Sequence, residues 1–123
     1  MSLATPFHLR QTQAFIACRP VEIRIERFKK VADGRGGFTL EPDPASPLDS
    51  QTVRKVGSAR IGATVERVTS DGRTVVPSAT LIAMPDADIK RYDKFVLDGV
   101  PHEVVDVAIL PEWRLSAEVF EEL

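Results

Sequence analysis

The sequence predicts a mainly β fold: a small single-domain β-barrel or sandwich with a long Gly/Pro-rich loop and an N-terminal arm. Three observations carry this. Several short segments alternate apolar and polar residues with a period of two, as half-buried strands do. Turn residues separate them, among them "SDG" at Ser70–Gly72 and the pair Asp98-Gly99. There are no heptads and no internal repeat, and little of the chain has helical periodicity. Closure into a barrel or sandwich is the economical way to hide the edges of many short strands. The 123 residues set one domain as the default. Residues 1–18 read as the arm and residues 19–123 as the barrel, with the projecting loop at about 33–51.

The elements follow in order. "QTQAFIAC", ending at Cys18, fits a short helical turn or a strand. In "VEIRIERF" Val21, Ile23 and Ile25 alternate with Glu22, Arg24 and Glu26, which marks a strand with its charged side outward. The loop "KKVADGRGGFTLEPDPASPLDSQ" comes next. Gly34, Gly36 and Gly37 open backbone angles closed to other residues, and Pro42, Pro44 and Pro47 stiffen an extended path. Phe38 and Leu40 suggest a short strand inside it. "SARIGATVERV" alternates again, with Ala59, Ile61, Ala63 and Val65 on one side and Arg60, Thr64 and Glu66 on the other. "RTVVPSATLIAM" returns as a strand in which Pro77 marks an edge, bulge or break. In "PDADIKRYD", Asp86 or Asp88 is placed to cap a short helical turn.

"DKFVLDGVPHEVVDV" reads as a hairpin. Asp98-Gly99 suits a type I′ turn, in which both central residues have positive φ. A two-residue loop sets Leu97 opposite Val100, Phe95 opposite His102 and Lys94 opposite Glu103. "WRLSAEV" closes the chain, with Trp113, Leu115, Ala117 and Val119 alternating against Arg114, Ser116 and Glu118.

Composition excludes several classes. The chain is 43% hydrophobic and 28% charged, which is ordinary for a globular domain and argues against wholesale disorder. A net charge of −2 does not advertise a nucleic-acid binder. The one cysteine, Cys18, makes no internal disulfide and reads as buried and inert. No secretory signal and no apolar run of membrane-spanning length is visible.

Sequence patterns that carry chemistry are few. His8 and His102 are the only histidines, and no strained nucleophile motif accompanies them. His102, Glu103 and Asp106 lie close in sequence, but within an alternating strand, where a surface or partly packed ring is the expected state of His102. Asp86, Asp88 and Asp93 do not have calcium-loop spacing. "DGRGG" lacks the order of a phosphate loop and a helix to follow it. The expectation is a protein with no catalytic residues, no metal and no cofactor. A nucleic-acid-binding barrel, the alternative of a different class, would show aromatics on a basic strand face, whereas the aromatics here are scattered and mostly readable as core.

From Ala79 to Val119 the stretch "ATLIAMPDADIKRYDKFVLDGVPHEVVDVAILPEWRLSAEV" resembles the head-closure, or head-to-tail stopper, proteins of long-tailed bacteriophages. The likeness is an apolar strand, Pro85, an Asp-rich turn, then Asp93, Phe95 and Leu97, Asp98-Gly99, "HEVVDV", and a last strand with Trp113 and Leu115. Residues 19–78 fit more loosely. The family pattern often has an aromatic residue where His102 stands, which points to packing. The resemblance implies a small β-barrel that assembles into a ring homo-oligomer, expected as a hexamer. The ring would stand in the virion neck, between portal–adaptor proteins on the head side and a tail terminator or tail-tube protein on the tail side. It would close the channel and join head to tail. Phage DNA would pass through without sequence-specific binding. Assembly would take place in the host bacterial cytoplasm, with no membrane involved. Related connectors include adaptors and tail-completion proteins.

On this reading the candidate channel or inter-ring loop comprises Asp33, Gly34, Arg35, Gly36, Gly37, Phe38, Glu41, Asp43 and Asp49. Glu41, Asp43 and Asp49 would repel phosphates, with Arg35 against the trend. Arg24 and Arg60 are candidate assembly contacts, and Asp98 and Gly99 form a structural turn. Deleting Phe38–Leu48 is expected to leave a folded barrel.

Overall fold

The structure, a computed structural model, describes residues 7–57, 65–111 and 113–122. The body is a six-stranded antiparallel sheet. Its strands in spatial order are β1 (Val21–Ile23), β4 (Gln51–Gly57), β7 (Ala79–Ala83), β10 (Arg114–Glu121), β9 (Val100–Leu110) and β8 (Lys94–Leu97). The two ends of the sheet nearly meet. Glu26, just past β1, and Lys94 of β8 exchange both backbone hydrogen bonds, at 2.7 and 3.0 Å. That exchange covers the edges that open strands would expose.

Alternation puts the core inside the barrel. Ile23, Ile25, Val53, Leu81, Phe95, Val104, Leu115 and Val119 are buried, with the small residues Ala79, Ala83 and Ala117 between them. Small side chains facing large ones suit the narrow interior of a six-stranded barrel. Strand β4 falls on residues the sequence reading left within and after the loop. The alternation at 58–64, including Arg60, lies outside the described residues, and Arg67–Val68 (β5), at the end of that segment, form a strand. The break at Pro77 separates β6 (Thr74–Val75) from β7.

Residues Phe7–Cys18, the candidate arm, form a helix, α1. The helix lies against β4, β7 and β10. Ile16 is buried there, and the Thr12 hydroxyl donates to the Trp113 carbonyl at 2.8 Å. Arg54 donates to the Phe15 carbonyl, and its guanidinium stacks over the Phe15 ring at 3.8 Å. Tertiary packing settles the helix here, because the segment's own period is weak. Cys18, expected to be buried, is exposed at the helix end. The "PDADIKRYD" connection holds turns rather than a helical turn, and the Asp88 carboxylate, a capping candidate, is engaged by Arg27 instead.

The hairpin β8–β9 has the register read from sequence: Leu97↔Val100, Phe95↔His102 and Lys94↔Glu103, with φ of 52° at Asp98 and 78° at Gly99. One irregularity follows. Between β9 and β10 the register shifts, so that Glu118 faces Asp106 while Val119 faces Val104. Val105 is therefore an extra residue, a β-bulge. The bulge turns Asp106 to the outer face and Val107 toward the core.

Candidate assembly surface

The predicted loop starts as a regular ribbon. β2 (Phe28–Ala32) and β3 (Phe38–Pro42) pair antiparallel as a separate two-stranded sheet, and all of their residues but Val31 are exposed. The turn between them is Asp33–Gly37. The Asp33 carboxylate accepts the amides of Arg35 (2.7 Å) and Gly37 (3.1 Å), and Gly34 and Gly36 supply positive φ at 79° and 82°. Residues that face each other in the ladder share a side. Phe28 with Pro42, Lys30 with Leu40, and Ala32 with Phe38 therefore make one largely apolar face. Lys29 with Glu41 and Val31 with Thr39 make the other.

The base of the ribbon is fixed by a residue that sequence reasoning missed. Arg27 donates from Nε and Nη2 to both carboxylate oxygens of Asp93, at 2.9 and 2.8 Å, and from Nη2 to Asp88 at 2.9 Å. Asp93 is buried and also accepts the Lys90 amide. The hydrogen bond from Arg27 to Asp93 is the main reason the guanidinium's pKa is raised. The same residue's carbonyl accepts the Asp43 amide, and its amide donates to the Ser46 hydroxyl. The available signal was the Asp-rich run, which reads alone as turn capping. Its partner lies 66 residues earlier.

The other predicted site residues divide. Glu41 stands beside Lys29 on the ribbon. Asp43 accepts the Ala45 amide and forms the next turn. Asp49 is exposed beyond it. The ribbon's charge is mixed, with Lys29, Lys30 and Arg35 against Asp33 and Glu41. Arg24 donates to the Leu48 carbonyl at 3.1 Å and holds the returning chain to the barrel. Leu48 packs on the core and its amide donates to Ile25. Deleting Phe38–Leu48 would thus remove β3 and a core contact together.

The three residues of the "HEVVDV" stretch have separate partners. His102 is buried inside the barrel, packed more fully than the surface or partly packed ring expected. Its ring stacks on Phe95 at 4.8 Å. Nδ1 lies 2.7 Å from the Val100 carbonyl, so it carries the proton, and Nε2 accepts from Lys55 Nζ at 3.0 Å. Lys55 also bridges to Glu121, and that hydrogen bond is the main cause lowering the Glu121 pKa. Glu103 is buried on the outer face, where it accepts from the amide and hydroxyl of Ser70. Asp106 pairs with Arg67 at 3.1 Å, and Arg67 also bonds Glu118. These contacts position the barrel end and the β5–β6 hairpin. They do not converge on one point as an acid–base site must.

A second apolar surface lies where β9 turns into β10. Ile109, Leu110 and Trp113 are exposed, and His8 of α1 packs on Trp113 with ring centres 5.2 Å apart. His8, Leu110, Pro111 and Trp113 line a cleft of about 430 Å³. No protein-family model matches the chain, and no curated protein matches it significantly.

Proposed function

We propose that the chain is a structural assembly protein of a bacteriophage neck. In this reading it forms a ring between the portal–adaptor complex and the tail, closes the DNA channel and joins head to tail. It works in the virion, as a self-assembled ring with neighbouring connector proteins, and it is not an enzyme. The observation that favours this most is the exposed β2–β3 ribbon, anchored at its root by Arg27. A closed barrel with an exposed, root-anchored ribbon suits contact with other subunits better than chemistry. A ring needs one surface to meet a different surface of its neighbour, and the ribbon supplies one such surface. The ribbon reaches either the channel or an adjacent ring. Adaptor or tail-completion roles share these features and differ in the layer occupied.

The test is a shortened ribbon. Lys29 faces Glu41, so residues 30–40 can be replaced by an Asn-Gly turn that closes the hairpin at that pair. Heads assembled with this variant are expected to leak DNA or fail to join tails, while the barrel stays folded. Fully infectious particles would overturn the ribbon's role. A particle reconstruction with no density for the chain in the neck would overturn the reading itself.

One observation favours a second reading. Lys29, Lys30 and Arg35 lie on the same ribbon as Phe28 and Phe38, and a two-stranded ribbon fits a DNA major groove. A nucleic-acid-binding barrel would bind free duplex with an affinity that falls steeply with salt. The neck reading expects no such binding.

A further inference from the structure

We infer that a second copy of this chain docks head to tail, with Phe38 of one copy seated in the cleft of His8, Leu110, Pro111 and Trp113 of the next. The inference deepens the neck reading and rests on it for closure of the chain of contacts into a ring. The contact itself rests on the two surfaces.

Phe38 is 69% exposed, the most of any large hydrophobic among the described residues. It stands at the ribbon end beside the Asp33 turn, where a folded monomer gives an aromatic side chain nothing to cover it. The cleft has the complementary character. It is shallow and open, its lining is mostly apolar, and Leu110 and Trp113, 46% and 37% exposed, offer a surface against which one aromatic ring can lie. Aromatic side chains buried on association are the anchors that dominate protein contacts. The ribbon and the cleft belong to different parts of the fold, because β3 is held by β2 and the cleft lies between α1 and the β9–β10 turn.

Charge agrees with the pairing. Asp33, next to the turn glycine and one turn from Phe38, spends Oδ1 on the turn amides and enters no ion pair among the described residues. Arg114 lies over the Trp113 ring at 4.8 Å with its Nε buried, and its guanidinium enters no ion pair among the described residues. Docking Phe38 brings the Asp33 carboxylate toward the Arg114 guanidinium. Two different surfaces joined in this way propagate, and a suitable rotation closes them into a ring.

The experiment uses the full chain with Cys18→Ser. Ala32→Cys and Ile109→Cys in one chain, which flank the contact and leave Phe38, Leu110 and Trp113 in place, oxidised at up to about 1 mM protein, should give a ladder of disulfide-linked oligomers. Sedimentation of otherwise native chains supplies the second measurement. Phe38→Asp and Trp113→Asp should each raise the self-association Kd by about 30-fold or more. Mixed together they should form a one-to-one dimer, since each keeps the half of the contact that the other has lost. Leu110→Asp replaces Trp113→Asp if circular dichroism shows that the latter is unfolded. Absence of the ladder, or variants that associate as tightly as the native chain, would overturn the contact. Rings that persist in both variants would overturn the contact and leave the neck reading standing. A ladder and one-to-one dimer from a chain absent from reconstructed necks would do the reverse.

Discussion

Asp93 carries more of the structure than its place in an Asp-rich turn suggests. Its carboxylate is buried and holds Arg27 by two hydrogen bonds. Removing one partner of such a pair leaves the other without compensation. Asp93→Ala should lower unfolding free energy by about 3 kcal/mol in urea titration, and a loss under about 1 kcal/mol would show that Asp88 alone suffices. His102→Phe should keep the fold, because a phenyl ring stacks on Phe95 as the imidazole does. It should cost about 1–2 kcal/mol through the lost bonds to Val100 and Lys55; a stability equal to the native chain's would mean those bonds contribute nothing. Glu121 gives a pH signature. Lys55 holds its pKa below the ordinary value of 4.5. The folded state therefore binds this proton less readily than the unfolded state. The stabilisation is present above the unfolded value and lost as pH falls through the lower folded value. The Tm advantage of the native chain over Glu121→Gln should be constant near neutrality and disappear as pH drops below 4.5. An advantage that persists at pH values well below that would remove the ion pair as its source.

At the scale of elements, local pattern and turn chemistry were read well where both agreed. The β8–β9 hairpin is the clear case, since Asp98-Gly99 admits a two-residue turn and that turn sets every pair after it. Alternation also placed Leu115, Ala117 and Val119 on one buried face. It failed in β9, where the Val105 bulge sends Asp106 outward. Strict alternation would have set Asp106 beside His102. A bulge is decided by the fit of two strands and leaves no mark in one of them. The ribbon was partly legible: Phe38 and Leu40 suggested a strand, but its partner Phe28–Ala32 lay in a basic run without clear alternation. Replacing residues 30–40 by Asn-Gly should leave Tm within a few degrees, because the ribbon's residues are exposed and the core lies elsewhere. A fall large enough to unfold the barrel at room temperature would mean the ribbon is part of the body.

For the whole molecule, assembly is the scale on which the proposed function stands or falls. Closure through Glu26 and Lys94 covers the edge strands β1 and β8 of the body, while the ribbon and the β9–β10 turn keep apolar surface outward. Exposed hydrophobics lie elsewhere too, Val96 and Phe7 among them, but the ribbon and this turn are the two places where aromatic and aliphatic side chains stand together. The head-to-tail contact uses both. Its mixed surface charge should make that association only mildly sensitive to salt, because the seated ring is apolar and the flanking pair is single. Sedimentation at low and high salt checks this, and a change of several tenfold would point to an electrostatic interface instead.

The sequence by itself determined the class of fold, the closing hairpin and most of the core, because period-two alternation and an Asp-Gly turn are local properties that act within a few residues. The tertiary structure alone decided that Phe7–Cys18 is helical, that Arg27 anchors the ribbon and that His102, Glu103 and Asp106 part company. Each of these depends on groups far apart in the chain and on one extra residue in a strand. Nothing within a short window of sequence can state the energy of such a pairing.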